Sequence, residues 1–220
     1  MVIGGLAVNF YGYSRDTSDL DFFISHDDRV EWMNLLADFG YKDFHDGGSF
    51  IQYQAPEKSA WPVDLMLVQE KTFAPILGAC VGADLFGVKT RVPSLEHLIV
   101  LKLHALKNTR TQRFLKDFLD VENLIRINQL DVKSKEVRKL FNNTEHPTCM
   151  KKYPDHSPKA DELREAPLEF PVAPNFVSHP PRVELQTMLK RIEQNMPWRN
   201  SRPGEAERRL GGKIPVEFVL

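Results

Sequence analysis

Along the first ninety residues the apolar positions switch repeatedly between short continuous runs and helical spacing, as expected of a mixed fold. Residues 5–11 read as a brief helix ended by Gly12, and residues 20–24 as a strand. Asp27 and Asp28 stand where they would cap a helix carrying Val30, Met33, Leu36 and Phe39, which Gly40 closes. Residues 41–44 and 50–53 flank Asp46-Gly47-Gly48, a hairpin signal. Residues 63–68 are almost uniformly apolar, as an inner strand would be, and residues 85–92 read as a further hairpin or strand bent at Gly87.

The pattern changes at Pro93-Ser94. Apolar residues recur at helical spacing over residues 95–106 and again over 114–127, through Phe114, Phe118, Val121, Leu124 and Ile125. Ser134 is placed to cap a last short helix through Phe141. Beyond Asn142, prolines from Pro147 to Pro181 exclude long regular elements. One amphipathic helix interrupts them at residues 182–195, with Val183, Met188, Leu189 and Ile192 on one face, and the apolar residues 214–220 read as an edge strand. The fold class is therefore α+β. A small mixed β-sheet core (1–93) precedes a helical subdomain (94–141) and a Pro-rich C-terminal extension (142–220), expected to lie as an arm on the main domain or on a partner.

Composition narrows this only a little. With 220 residues, 42% hydrophobic and 27% charged, the chain is long enough for one sizeable core. A net charge of −1 gives no global attraction to nucleic acid, although a local patch remains compatible with it. Cys80 and Cys149 lack metal-ligand spacing and read as reduced thiols. The sequence shows neither a bilayer-spanning apolar stretch nor a basic-then-apolar leader, so no membrane partner is expected and the expected location is cytoplasmic.

The chemistry lies in the acids. Asp19 and Asp21, in Ser18-Asp19-Leu20-Asp21-Phe22, project from one face of a strand, and Asp64 interrupts the apolar run 63–68. An unpaired carboxylate in apolar surroundings is costly, so three of them on strand-like segments call for a reason. Converging like charges need a cation, and oxygen ligands suit Mg²⁺, which keeps waters for a phosphate to displace. In a two-ion arrangement one ion activates the attacking hydroxyl and the other holds the triphosphate. Gly4-Gly5, opening a helix, would let the backbone approach phosphate oxygens. Alone, the glycine pair reads equally as a plain turn and the Asp-x-Asp pair as a solvated strand edge. Their order and spacing, with Asp64 following, favour the site.

These motifs carry a resemblance. Val2-Ile3-Gly4-Gly5-Leu6-Ala7-Val8, then Gly12, then Arg15-Asp16-Thr17-Ser18-Asp19-Leu20-Asp21-Phe22, resembles the minimal nucleotidyltransferases of the DNA polymerase β superfamily over roughly residues 1–141. It is most similar to their AbiEii-type branch, which includes toxins of toxin–antitoxin systems. The resemblance implies ATP or another NTP as substrate, nucleotide transfer to an acceptor hydroxyl such as one on tRNA, two Mg²⁺ ions, and a possible antitoxin partner. It places the triphosphate on Gly4 and Gly5, the metal on Asp19 and Asp21, and a metal ligand or general base at Asp64. Arg15, with Thr17 beside it, would order the loop or meet phosphate. Lys102, in an apolar stripe, must snorkel to water or meet an anion, and the resemblance assigns it to phosphate. Lys116-Asp117 resembles the family's Lys-Asp pair, with Asp117 holding Lys102 or the nucleotide. Lys107, Arg110, Arg113 and Lys116 read individually as a solvated face and jointly as a rim for a polyanion.

The chain departs from that pattern in two places. The opening helix of the family has no counterpart before residue 2, and the extension beyond Asn142 matches nothing in it. Met150-Lys151-Lys152-Tyr153 reads like the start of a separate small protein, so the extension is either a fused, antitoxin-like partner covering the catalytic domain or a replacement for the missing packing. Two other functional classes stay open: a domain that binds nucleotide or a partner without turnover, and an aminoglycoside-type adenylyltransferase acting on a small molecule.

Overall fold

The computed structural model describes residues 1–108, 111–131, 134, 135, 138 and 182–195. Its centre is a pair of parallel strands, β1 (Leu20–Ser25) and β4 (Val63–Val68), in a register that sets Asp21 beside Asp64 and Phe23 beside Met66. β3 (Phe50–Gln54) runs antiparallel to β4, and β2 (Lys42–Asp46) closes the hairpin at the far edge, giving the order β1-β4-β3-β2. At the other edge of β1 the extended Met1–Ile3 segment pairs antiparallel to it. The Ile3 N–H donates to Asp21 O and the Phe23 N–H to Met1 O, both at 2.9 Å. Val2 N–H donates at 2.9 Å to Arg91 O, on the second sheet, the hairpin β5 (Val81–Leu85) and β6 (Val88–Val92). The turn between them holds Phe86 and Gly87 at φ 57° and 80°, the left-handed pair a tight hairpin requires.

The alternation of β1 and β4 gives the main sheet two differently built faces. Leu20, Phe22, Ile24, Leu65 and Leu67 belong to the main core with Trp32 and Leu36 of α2 (Arg29–Asp38), and the Phe22 and Trp32 rings lie 4.8 Å apart. Phe23 belongs to a smaller core with Met1, Ile3, Leu101 and, from α3 (Glu70–Gly78), Phe73 and Ile76. Asp21 and Asp64 share this second face.

α2 corrects the expected packing. A 3-10 turn, His26–Asp28, precedes it, with the Ser25 hydroxyl accepting from Asp27 N–H, and Asp28 makes no capping bond through its side chain. The helix therefore enters rotated: Trp32 and Leu36 are buried, while Val30 is 65% exposed and Met33 also faces out. α3 was not expected, since residues 69–84 were assigned no element; Pro75 is accommodated inside this short helix. β5 likewise begins earlier than expected.

α4 (Leu95–Asn108) and α5 (Thr111–Ile127) pack against each other, and both contribute to the main core through Leu98, Leu103, Val121 and Leu124. At 134–138 the Arg138 N–H donates to Ser134 O at 3.0 Å, as a helical turn begun by Ser134 would. The amphipathic segment is a helix, α6 (Arg182–Asn195), and it docks on β6 with Met188, Leu189 and Ile192 in the main core. Gln186 donates to Phe86 O, and the Arg191 guanidinium lies 5.1 Å above the Phe39 ring. The rest of the Pro-rich extension, the remainder of the helix through Phe141 and the strand at 214–220 fall outside the described residues, as does Cys149. Cys80 is in no disulfide.

Candidate active site

The site begins with the Met1–Ile3 segment, which delivers Gly4 and Gly5 to the head of α1 (Gly4–Phe10), beside Asp21. Gly4 has φ +63°, and a Cβ there would lie 1.7 Å from Asp21 Oδ2. A Cβ on Gly5 would meet Thr17 Oγ1 at 2.5 Å and Arg15 Nη1 at 3.0 Å. Both positions thus need glycine before any ligand is considered, because a carboxylate and a loop side chain lie directly against the backbone. The space expected to admit phosphate is, at Gly4, adjoined by the Asp21 side chain.

A cleft of about 520 Å³ opens between this edge of the sheet and the helices α4 and α5. Gly4, Gly5, Arg15, Asp19, Asp21 and Asp64 border it from the sheet side, and Lys102, Lys116 and Asp117 from α4 and α5. Phe50, Leu98 and Leu101 supply an apolar lining. All three predicted acids therefore reach one cavity, with Asp64 buried and its neighbour across the sheet, Asp21, half-buried. On the opposite side Asp64 neighbours Gln52, whose Nε2 lies 3.4 Å from both carboxylate oxygens. Asp19 precedes β1, and its carboxylate accepts the Thr17 hydroxyl.

The donor set fits a hard cation in kind, since oxygen atoms of Asp21 and Asp64 stand side by side in a cleft. Among the described residues, however, no three acids or histidines are grouped closely enough to hold an ion themselves. The expected meeting of three carboxylates on one point is thus reduced to an adjacent pair, with Asp19 turned to Thr17.

Lys102 neither snorkels to solvent nor stands alone. Its Nζ lies 2.7 Å from Asp117 Oδ1 and 2.8 Å from Asp120 Oδ2, so Asp117 does hold Lys102. Arg15 grips Asp120 from the other side, Nε to Oδ1 at 2.7 Å and Nη2 to Oδ2 at 2.9 Å. Sequence reasoning missed Asp120 and Gln52. Asp120 had a legible signal: an acid three residues after Asp117 on one helix face, within the Phe118–Val121–Leu124 apolar pattern. Gln52 had none beyond its place in an alternating strand. Lys116 and His104 border the cleft, whereas the side chains of Lys107 and Arg113, and Arg110 altogether, lie outside the described residues.

The chain belongs to the family described as nucleotidyl transferase of unknown function (DUF2204), which matches residues 1–155. It is therefore a nucleotidyltransferase by family, and the match runs past residue 141, where the resemblance was expected to stop. No curated protein matches it. Among solved structures it is similar to the lincomycin-bound lincosamide antibiotic adenylyltransferase LnuA, at 18% identity and TM-score 0.42, covering 57% of this chain and 85% of that one. It is also similar to ANT(2'')-Ia in complex with adenylyl-2''-tobramycin, at 16% identity and TM-score 0.49, covering 66% and 85%. A third is an antigenic nucleotidyltransferase-like protein from Paracoccidioides brasiliensis, at 17% identity and TM-score 0.43, covering 70% and 80%. Among the described residues no helix is long and apolar enough to cross a membrane.

Proposed function

We propose that the chain is a Mg²⁺-dependent enzyme that transfers a nucleotide from an NTP to an acceptor hydroxyl and releases pyrophosphate. The observation that carries this reading is the Asp21–Asp64 pair facing Lys102 across one cleft, with Gly4 and Gly5 at its edge. The acceptor oxygen attacks the α-phosphorus, the bond to the β-phosphate oxygen breaks, and the hydroxyl proton passes to a carboxylate, the role the motif resemblance gives to Asp64. Lys102 and Arg15, both ion-paired with Asp120, present N–H groups to the triphosphate, with Asp117 holding Lys102 and Thr17 beside Gly5. Mg²⁺, held by Asp21 and Asp64 with Asp19 nearby, would lower the pKa of the attacking hydroxyl and neutralise the leaving pyrophosphate.

The finer assignment to the AbiEii-type branch, with tRNA as acceptor and an antitoxin partner, rests on the motif resemblance, and the cytoplasmic setting rests on the expectation from the sequence. α6 bears on the partner question: it docks on β6, and none of its described side chains lines the cleft, which favours packing over occlusion for that helix.

Binding stabilises a fold by mass action. NTP with Mg²⁺ should therefore raise the melting temperature of the wild-type protein, and EDTA or an Asp21→Asn/Asp64→Asn double variant should abolish the rise. An equal rise in the double variant would reject the site. Labelled nucleotide appearing on tRNA, or instead on small hydroxylated acceptors such as aminoglycosides, separates the two acceptor classes. Stabilisation without transfer to either would favour the binding-only alternative.

A further inference from the structure

Asp120 joins the two walls of the cleft, and we propose that it is a positioning residue that holds Lys102 and the Arg15 loop at a fixed separation for the incoming triphosphate. The inference rests on the nucleotidyl-transfer reading above and adds to it a residue outside the motifs that suggested it.

The geometry is that of a clamp. Asp120 is 0% exposed, and both of its oxygens are engaged: Oδ1 accepts from Arg15 Nε at 2.7 Å, Oδ2 accepts from Arg15 Nη2 at 2.9 Å, and the Lys102 ammonium is ion-paired with Oδ2 at 2.8 Å. The planar guanidinium fork fixes orientation as well as distance, which a single lysine bond does not. Arg15 is in turn anchored through its backbone, donating to Asn9 Oδ1 and accepting from Asn9 Nδ2, each at 3.0 Å. The short stretch from Arg15 to Thr17 and Asp19 is thereby tied to α5.

Lys102 is equally constrained. Its side chain is 12% exposed and borders the cleft, and it is bonded to Asp117 as well as Asp120. Among the described residues Asp117 Oδ2 is buried without a hydrogen-bond partner, and Lys102 is the cation paired with this carboxylate. Withdrawing it would leave a buried charge unpaired, which is strongly unfavourable. Lys102 therefore works as a fixed cation that a phosphate approaches, and its place relative to Asp19 and Gly5 is set through Asp120. Without Asp120 the four-carbon stem would follow Asp117 alone.

The test uses the full chain with Asp120→Asn, which keeps shape and loses charge, and Arg15→Lys, which keeps charge and loses the fork. Three quantities are read at a temperature where each variant is folded by circular dichroism: kcat and KM for NTP with Mg²⁺, the NTP-induced rise in melting temperature, and labelling of Lys102 by an amine reagent. Misplacement on the scale of an ångström costs about a hundredfold in rate. Asp120→Asn should accordingly lower kcat/KM about a hundredfold, with a raised KM, a smaller NTP-induced shift and faster Lys102 labelling. Arg15→Lys should move the same quantities less, and the double variant should be no worse than Asp120→Asn, because both act through one clamp. A lower melting temperature with unchanged kcat and KM would show a merely structural acid and overturn the proposal. If Asp120→Asn fails to fold, Arg15→Lys decides: unaltered KM and Lys102 labelling would overturn it. A wild-type protein that shows no NTP-induced shift would overturn the functional reading itself, and the role of Asp120 with it; that outcome is distinguishable because Lys102 labelling would still respond to the variants.

Discussion

The two faces of the main sheet use the same strands for opposite purposes. Toward α2, β1 and β4 present Leu20, Phe22, Ile24, Leu65 and Leu67, every one buried in the larger core. Toward α3 and α4 the same strands present Phe23 to a smaller core and Asp21 and Asp64 to the cleft. A strand places neighbouring side chains on opposite sides, so a residue that stabilises and a residue that reacts can be adjacent in sequence without competing for space. The acid face forgoes apolar burial where the cleft opens, and the α2 face supplies it.

If the faces are that separable, damage to one should leave the other intact. The largest effect is expected from Leu36→Ala, which removes a fully buried side chain from the α2 face. It should cost about 2–5 kcal/mol in a denaturant titration, because the surroundings refill such a cavity only partly. NTP affinity of the folded fraction should stay at the wild-type value; a matching loss would show that the faces are coupled. Gly4→Ala tests the other side. Its positive φ and the 1.7 Å approach of Asp21 leave no room for a methyl group, so Asp21 must turn away. The expected stability loss is about 1–3 kcal/mol, with nucleotide-dependent stabilisation largely lost even where the protein is folded.

The smallest effect concerns α4, which serves both faces through Leu98 in one core and Leu101 in the other. Burial holds His97, at its start, below the usual histidine value of 6.5, with Glu96 opposing the shift only in part. The native state therefore takes up this proton at lower pH than the unfolded chain. Its contribution to stability is level above about pH 6.5 and falls as the pH drops below that, until the native imidazole also protonates. Denaturant titrations from pH 7.5 to 5 should show a steeper decline in the wild-type protein than in His97→Gln; identical slopes would contradict it.

Much of the site could be read in the letters because isolated acids in apolar strands break a strong rule. Asp21, Asp64 and Lys102 stood out against apolar neighbours, Asp19 came with Asp21 at strand spacing, Asp117 came only through the family resemblance, and all reach the same cleft. Asp120 obeyed the same logic and was passed over, since its partner Arg15 lies 105 residues away in sequence. In the fold, the turn chemistry at Asp46-Gly47-Gly48 and the spacing of α4, α5 and α6 were local signals and were legible. The inward face of α2 was not, because the 3-10 turn ahead of it sets its rotation, and α3 lies in the stretch that was assigned no element.

By itself the amino-acid order determined most of the segments that become helix or strand, α3 and the start of β5 excepted, and which residues are chemically out of place in them, since both follow from neighbours a few positions apart. Only the tertiary structure decided that Gly4 is needed by Asp21, that Asp19 turns to Thr17, and that Asp120 binds two cations at once. Those are distances between groups far apart in the chain, and they exist only once the packing of the whole molecule has set them.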